Sequence, residues 1–381
     1  MRISRSTQHV FVLLLLILSS TNFLNLRLFP NNDLFKFLIP VIILLILSFA
    51  ARSIRINYKG SKFWIFFYFG IFASVLSCKF HHNQELGVTL LAQREVYLGF
   101  IYYTILILIK PDIFEIKKAF ILFSVIYVGI FIIQYSIFPE IQIAYLERFV
   151  KGNSKTFFIS GFSLIPICYY ILNEKLQNNR HVFNFLLTIV IIIIFFLAQN
   201  RSQLFAILII TLFIVFNKYN QFKNVRFLYF VLFVTIVFFS WTIIEDLLSE
   251  TVINLTDKNY PRWRTFSYFA DLQNQNPLLF TFGSGYPSTH SEYGKSIVSL
   301  REKVIYQADL GILNTWIMFG VFTFGAVLLL LFSVINDRNM PYFAKLAGWH
   351  LLITPLIYGF WVSDQLFVLS VLLYLKRTQN S

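Results

Sequence analysis

Charged side chains are scarce in this sequence. Asp, Glu, Lys and Arg together make up 13% of the 381 residues, whereas 57% of the residues are hydrophobic. A soluble domain contains about 25% charged residues, so water is not the solvent for most of the surface of this chain. The composition excludes an ordinary soluble domain and predicts a protein embedded in lipid.

Cysteine is almost absent as well. Cys78 and Cys168 are the two in the chain, and Cys168 falls within an apolar run, so neither a disulfide framework nor a thiolate metal site is predicted. His81 and His82 are adjacent, but no further His or Cys follows at the spacing of a zinc site. We therefore expect no metal and no cofactor.

Two further features are missing from the sequence. No A-x-A-like cleavage site follows the first apolar run, which begins after Arg2 and Arg5, so an uncleaved first helix is predicted. The net charge is +14, but the cations are distributed along loops and are not gathered on a basic domain. Nucleic acid is therefore not an expected partner.

Apolar runs of 17 to 22 residues recur from Val10 almost to the C-terminus. At a rise of about 1.5 Å per residue, each run is long enough to cross a hydrocarbon core of about 30 Å as a helix. The runs lack the alternation of membrane-barrel strands, and a backbone in lipid must satisfy its own hydrogen bonds. We therefore predict an all-α, polytopic membrane protein.

The hydropathy pattern predicts about 12 transmembrane helices, with 10 to 12 as the range. Short loops on the side of the N-terminus carry more Lys and Arg than the others, which predicts that both termini are cytoplasmic. The predicted division is residues 1–246 with nine helices, 247–305 as a large outer loop, and 306–381 with three helices and a cytoplasmic tail. The predicted helices lie near residues 9–28, 34–51, 62–78, 88–109, 118–138, 156–173, 181–198, 203–217, 227–246, 308–335, 343–361 and 365–375.

The large loop at residues 247–305 contains NYPRWR, NQNPLLF and FGSGYPSTH, which are rich in turn-forming residues. Most linkers are shorter than this segment. Trp263, Tyr268 and Phe269 supply the apolar side chains for a small core. We expect a folded lid or binding element at the membrane surface.

Arginines on three outer loops are candidate ligands for phosphate. They are Arg148, Arg201, and the pair Arg262 and Arg264, and Lys151 follows the first of them. The planar guanidinium group donates bidentate hydrogen bonds to phosphate and keeps its charge, so converging arginines suit a diphosphate. The alternative is that each arginine extends to lipid headgroups.

Three other features allow two interpretations each. Gly283 and Gly285 either let backbone amides approach a ligand or form a structural turn, and a lone G-x-G favours the turn. Asp309, where the loop re-enters the membrane, either orients or deprotonates an acceptor hydroxyl or caps the next helix. Arg94 and Glu95 form either an internal salt bridge or an interfacial pair.

Three segments resemble the O-antigen polymerase and O-antigen ligase superfamily of bacterial envelope glycan assembly. FLAQNRSQLFA at residues 196–206 is similar to the family's helix-end segment, with Asn200 in place of Ser and Arg201 at the arginine position. RTFSYFADLQNQNPLLFTFGSG at 264–285 is similar to its loop pattern, with Tyr268 where Trp is common. DLGILNTWIMFGVFTFG at 309–325 resembles the helix that follows the loop.

The resemblance implies an enzyme that joins undecaprenyl-diphosphate-linked repeat units on the periplasmic face of the bacterial inner membrane. Ligases of the family typically have a His-Asn-like pair where Ala308 and Asp309 stand here, which favours the polymerase branch. The first outer loop contains a single acid, Asp33, whereas a metal-dependent oligosaccharyltransferase usually keeps its ligands there, so metal-independent transfer is expected. The alternatives are a ligase and a flippase or transporter of the same lipid-linked oligosaccharide.

The resemblance also implies roles for individual residues and partners. Arg201 and Arg264 would bind the donor diphosphate, and Asp309 would position or deprotonate the acceptor. The implied partners are the lipid-linked oligosaccharides, membrane lipid, and a chain-length regulator and a flippase. The residues implied in binding the second lipid or the glycan are Arg148, Lys151, Arg262, Trp263, Tyr268, Gly283, Gly285 and Tyr286.

Overall fold

The described part of the chain is entirely helical apart from its connections. In the computed structural model, the described residues are 4–27, 34–50, 62–138, 140–146, 157–178, 182–198, 201–218, 261–302, 305, 310–354 and 359–379. All named elements in these ranges are helices, and one isolated antiparallel bridge joins Leu26 and Ala144. The prediction of an all-α protein is confirmed for these residues.

Fifteen α-helices, counted among the described residues, follow one another along the chain. They are α1 Arg5–Ser20, α2 Leu34–Ala50, α3 Lys62–His82, α4 Leu86–Ala92, α5 Leu98–Ile109, α6 Ile113–Ile137, α7 Ile165–Asn178, α8 Val182–Leu197, α9 Arg201–Lys218, α10 Pro261–Asn274, α11 Pro277–Phe282, α12 Glu292–Glu302, α13 Ile312–Asn336, α14 Tyr342–Ile353 and α15 Ser363–Gln379. The predicted span at 227–246 lies outside the described residues, and each of the other predicted windows overlaps a helix.

Three helices are long and apolar enough to cross a membrane: α3, α6 and α13. Together, α4 and residues 94–109 form a fourth candidate that is bent by 61°. Helices α1, α2 and α8 are apolar but shorter. These lengths and compositions indicate a membrane protein, while the count of twelve spans stays a prediction.

Helices α3 and α13 are closely packed against each other in the bundle. A Cβ atom on Gly70 of α3 would overlap Thr323 of α13, so the glycine allows the two backbones to approach. The Thr323 hydroxyl donates to the Phe67 carbonyl at 2.9 Å. A small residue and an inter-helix hydrogen bond therefore fix the contact between two of the candidate spans.

Ion pairs mark the two ends of the bundle. At one end, Lys36 of α2 pairs with Glu95 at 3.0 Å. We call this the loop end, because residues 261–302 pack there. Among the described residues, three pairs lie at the opposite end, where His9 contacts Glu115 at 2.9 Å, Lys117 contacts Glu174 at 2.9 Å and Lys376 contacts Asp337 at 2.5 Å.

Several backbone breaks lie at the loop end. Short 3₁₀ helices occupy Asn22–Asn25, Arg94–Tyr97 and Phe162–Leu164. Helix α13 is broken at Gly320, whose φ is 74°. Non-helical backbone within an apolar bundle needs partners for its polar groups, and the contacts described below supply several of them.

Candidate functional site

Residues 261–302, which belong to the predicted large loop, fold into helices α10, α11 and α12. They also bury a small apolar core with the start of α13. Its buried members are Phe269, Leu300, Ile305, Leu310 and Ile317. The sequence predicted Trp263 and Tyr268 in this core as well, but both are exposed. Within its described part, the segment is a folded body attached to the loop end of the bundle.

The break in α13 is the main attachment point of this body. In an unbroken helix the carbonyls of Ile317 and Met318 would accept from amides one turn later. The break at Gly320 frees them, and they accept instead from the amides of Ser284 at 2.8 Å and Gly285 at 2.9 Å. The Ser284 hydroxyl also donates to the Ile317 carbonyl, at 3.0 Å.

The two predicted ligand-binding glycines lie in this attachment. Gly283 and Gly285 have φ angles of 79° and 72°, which favour glycine. A Cβ on Gly283 would overlap the Met318 backbone, and one on Gly285 would press against Cys78. Their amides donate to protein carbonyls, as expected for a structural turn. Their role in ligand binding stays a prediction.

Gln84 attaches the chain that follows the turn. Its Nε2 donates to the Tyr286 carbonyl at 3.0 Å and to the Thr89 hydroxyl at 2.8 Å. Its Oε1 accepts from the Ser288 amide at 3.0 Å and the Ser291 hydroxyl at 2.6 Å. One buried amide therefore holds residues 286–291 against the start of α4.

The two adjacent histidines at the end of α3 contact the same body. The ring of His82 stacks on Tyr293 with the centroids 3.8 Å apart and the planes 5° from parallel. The Asn276 side chain, which caps α11 by accepting from the Leu278 amide, lies 3.1 Å from Nδ1 of His81 through its Nδ2. The histidines thus dock the segment, a role that their sequence did not reveal.

Buried polar atoms gather where the segment meets α3. The Gln273 amide donates to the Ile317 carbonyl at 3.1 Å, beside the Ser284 hydroxyl. The Tyr293 hydroxyl lies near Ser284 but makes no well-aligned hydrogen bond. Burial raises the pKa of the Tyr293 phenol, so it stays a protonated donor at neutral pH.

We call this group the docking cluster. Its members are neutral amide, thiol, imidazole and phenol side chains: Cys78, His82, Gln93, Gln273 and Tyr293. Four of its buried polar atoms have no hydrogen-bond partner within the described structure: Oε1 of Gln93, Oε1 of Gln273, Nε2 of His82 and the hydroxyl of Tyr293. An unpartnered buried polar group costs about 1–3 kcal/mol, so these four atoms are unfavourable where they are and are available to hydrogen-bond partners of neutral chemistry.

Other predicted site residues lie on α10, above the docking cluster. Trp263 and Tyr268 are 44% and 41% exposed, and Arg264 is also exposed. Arg264 and Tyr268 are one turn apart on the same helix face. Arg264 is available to an anion, and Tyr268 presents a flat ring beside it.

The remaining predicted residues are placed only in part. Arg201 begins α9 and Arg262 lies in the first turn of α10, with side chains outside the described residues. Arg148, Lys151 and Asp309 lie outside them altogether. The predicted convergence of the arginines therefore stays a prediction. Tyr286 is partly buried against the main core.

A comparison with models of known protein families and with curated proteins found no match. The family resemblance therefore depends on the three sequence segments quoted above.

The site contains no evident metal centre in the described ranges. There, no group of three or more His, Cys, Asp or Glu side chains is arranged to hold a metal ion. What the described residues offer is one exposed guanidinium group, two exposed aromatic rings and a layer of neutral hydrogen-bonding groups. Rings and neutral polar groups together suit a sugar, and the guanidinium group suits a phosphate.

Proposed function

We propose that the chain is a polymerase that joins undecaprenyl-diphosphate-linked oligosaccharide repeat units into O-antigen or a related surface polysaccharide. One observation carries the proposal most directly. Arg201 begins α9 and Arg264 lies in the first turn of α10. The positive end of a helix adds to the attraction of an arginine for phosphate, so a position near the start of a helix supports the proposed role of both arginines.

The proposed reaction needs no metal ion. The acceptor hydroxyl attacks the anomeric carbon of the donor glycan, and the bond from that carbon to the diphosphate oxygen breaks. Arg201 and Arg264 stabilise the negative charge that develops on the departing diphosphate. Asp309 receives the proton of the hydroxyl or orients it. Trp263 and Tyr268 hold the sugar rings.

The test replaces Arg264 by Ala and by Lys. Hydrogen bonds to a charged group are worth about 1.5–3 kcal/mol, so Arg264→Ala should reduce polymer formation roughly 10- to 100-fold. Arg264→Lys should restore part of the activity, because Lys keeps the positive charge but cannot donate two parallel hydrogen bonds to one phosphate. The measurement is the length distribution of surface polysaccharide on a gel, at equal protein level.

Arg338→Ala is the matched control, since Arg338 is an exposed arginine that follows α13 at the opposite end. It should leave the polymer unchanged. Normal polymer length in Arg264→Ala would remove Arg264 from the proposed mechanism. Equal losses in both variants would indicate a nonspecific effect of charge.

A transporter of the same lipid-linked oligosaccharide is the second candidate. The observation that favours it is the set of helix breaks at the loop end together with the buried carboxylate of Asp364, features common in transporters. Surface glycan from a strain lacking the protein separates the candidates. A core with a single repeat indicates a lost polymerase, a bare core a lost ligase, and an intermediate trapped in the inner leaflet a lost flippase.

A further inference from the structure

A carboxylate lies inside the bundle on an element that contributes nothing to the docking cluster. Asp364, in the first turn of α15, is 8% exposed. Burial of an ionised carboxylate costs several kcal/mol unless charges and hydrogen bonds compensate it. An ionisable group inside an apolar bundle is therefore a candidate for function.

The hydrogen bonds of Asp364 satisfy each oxygen once. Its Oδ1 accepts from the Gln365 amide at 2.8 Å, and its Oδ2 accepts from the Ser163 hydroxyl. A serine hydroxyl both donates and accepts, so Ser163 is also able to accept from a protonated carboxyl group. The same geometry therefore accommodates the carboxylate and the carboxylic acid.

Charged groups of both signs lie around Asp364. Lys36 and Glu95 both act on the carboxylate, with opposite signs, and they are paired to each other at 3.0 Å. The third neighbour is the buried phenol of Tyr102 on α5, a neutral group at ordinary pH. No full positive charge is therefore committed to Asp364 among the residues that the structure describes.

A small cavity adjoins the Ser163 hydroxyl and has room for about one water molecule. Gln365 and His350 also line it, and both are more than nine-tenths buried. Oε1 of Gln365 has no hydrogen-bond partner in the described structure, but the surface that lines the cavity is almost entirely apolar, so the cavity supplies too few partners to hold a water molecule firmly. His350 in turn lies 2.9 Å from the Tyr170 hydroxyl through its Nδ1.

We propose that Asp364 binds and releases a proton inside the bundle, with the Ser163 hydroxyl as its hydrogen-bond partner in both protonation states. When the proton arrives from water, an O–H bond forms on Oδ2 and the charge of the carboxylate disappears. The hydroxyl of Ser163 then changes from donor to acceptor. This inference does not rest on the proposed polymerase activity.

The experiment is pH-difference infrared spectroscopy of the full chain in detergent, between about pH 4 and pH 9. The carbonyl stretch of a protonated buried carboxyl group should appear as the pH falls and should be missing in Asp364→Asn. Asp337→Asn is the matched control, because Asp337 pairs with Lys376 at the opposite end, and it should keep the band.

Ser163→Ala tests the role of the hydrogen-bond partner with Asp364 intact. Removing the hydroxyl takes a donor from the carboxylate, so the midpoint of the band should move to higher pH by roughly one unit, a tenfold change in proton affinity. If Asp364→Asn does not fold, the shift of the midpoint in Ser163→Ala still tests the proposal.

Three results would overturn the proposal. A band that persists in Asp364→Asn would belong to another group. A band that does not change over the whole pH range would mean that Asp364 keeps one protonation state. A band that follows the sodium concentration at constant pH would mean that the carboxylate binds a metal cation.

Discussion

At the scale of single residues, Gln84 illustrates how one side chain attaches a distant segment. It is 2% exposed, and its amide makes two donor and two acceptor contacts. No charged or apolar side chain of that size supplies both kinds of group. The attachment of residues 286–291 therefore depends on the identity of this residue.

Replacing Gln84 by Ala tests this attachment. The substitution leaves the Tyr286 carbonyl and the Ser288 amide without their partner, at a cost of about 1–3 kcal/mol for each buried group. We expect a lower melting temperature in detergent and faster proteolysis within residues 286–291. The exposed Gln8 gives the control Gln8→Ala, which should behave as the wild type. Unchanged proteolysis in Gln84→Ala would show that other contacts hold the segment.

The sequence revealed the site residues only in part. Arg264 was predicted as an exposed ligand and lies at the surface, whereas Trp263 and Tyr268, which were also expected to help form a small core, are exposed. Gln84 gave no signal, because its partners Tyr286 and Ser288 are 202 and 204 residues away. Contacts across such separations depend on the packing of helices, which a single sequence does not specify.

Asp364 is a different case, because a sequence signal was present. The last span was predicted to begin at residue 365, which left this acid at its edge as an ordinary boundary residue. The structure instead buries Asp364 in the first turn of α15. An acid at the edge of an apolar run is therefore a candidate site residue in the same way as the arginines are.

At the scale of helices, hydropathy located the elements but not their breaks. A window average is insensitive to a few residues with other φ angles, so neither Arg94–Tyr97 nor Gly320 was predicted. In the sequence, Pro261, Asn276 and Pro277 are turn-forming residues that predict irregular structure in the loop. In the structure they begin α10 and α11, where Pro and an Asn cap are favourable.

Two glycines in α13 allow a test of how much the break at Gly320 contributes to the stability of the protein. A Cβ on Gly320 would overlap the Thr281 carbonyl, and its φ of 74° disfavours other residues. Gly320→Ala should therefore destabilise the protein by about 1–3 kcal/mol. A Cβ on Gly325 meets nothing within 4 Å, so Gly325→Ala should be neutral or stabilise α13 by up to about 1 kcal/mol.

Thermal unfolding in detergent measures both variants. Equal melting temperatures for Gly320→Ala and Gly325→Ala would mean that the break is not required by the contact with α11. A loss of stability in Gly320→Ala, with faster proteolysis of residues 276–291, would connect the break to the attachment of the segment.

At the scale of the whole molecule, the predicted orientation places the loop end outside the cytoplasm. Both native cysteines are buried, so a cysteine introduced at an exposed position is expected to be the main site of labelling. Asn274 at the end of α10 and Asn339 after α13 are exposed at opposite ends. They provide two chemically matched labelling positions.

In intact cells, Asn274→Cys should react with a membrane-impermeant maleimide, because positive charge on the short loops of the other side retains that side in the cytoplasm. Asn339→Cys should react only after the membrane is permeabilised. The reverse pattern would place the arginines on the cytoplasmic side and would contradict the proposed polymerase. Labelling of Cys78 or Cys168 in the wild type would show that the native cysteines also react, so the two variants could not be interpreted.

The carbonyl of Ile317 accepts from two different parts of the segment, Gln273 and Ser284. The first two turns of α13 and the attached segment are therefore expected to move as one rigid unit. Beyond Gly320, the rest of α13 packs on α3 through Thr323. The segment also contacts α3 directly through His81 and His82, so a displacement of the segment is expected to reach the α3–α13 pair on both sides of the break.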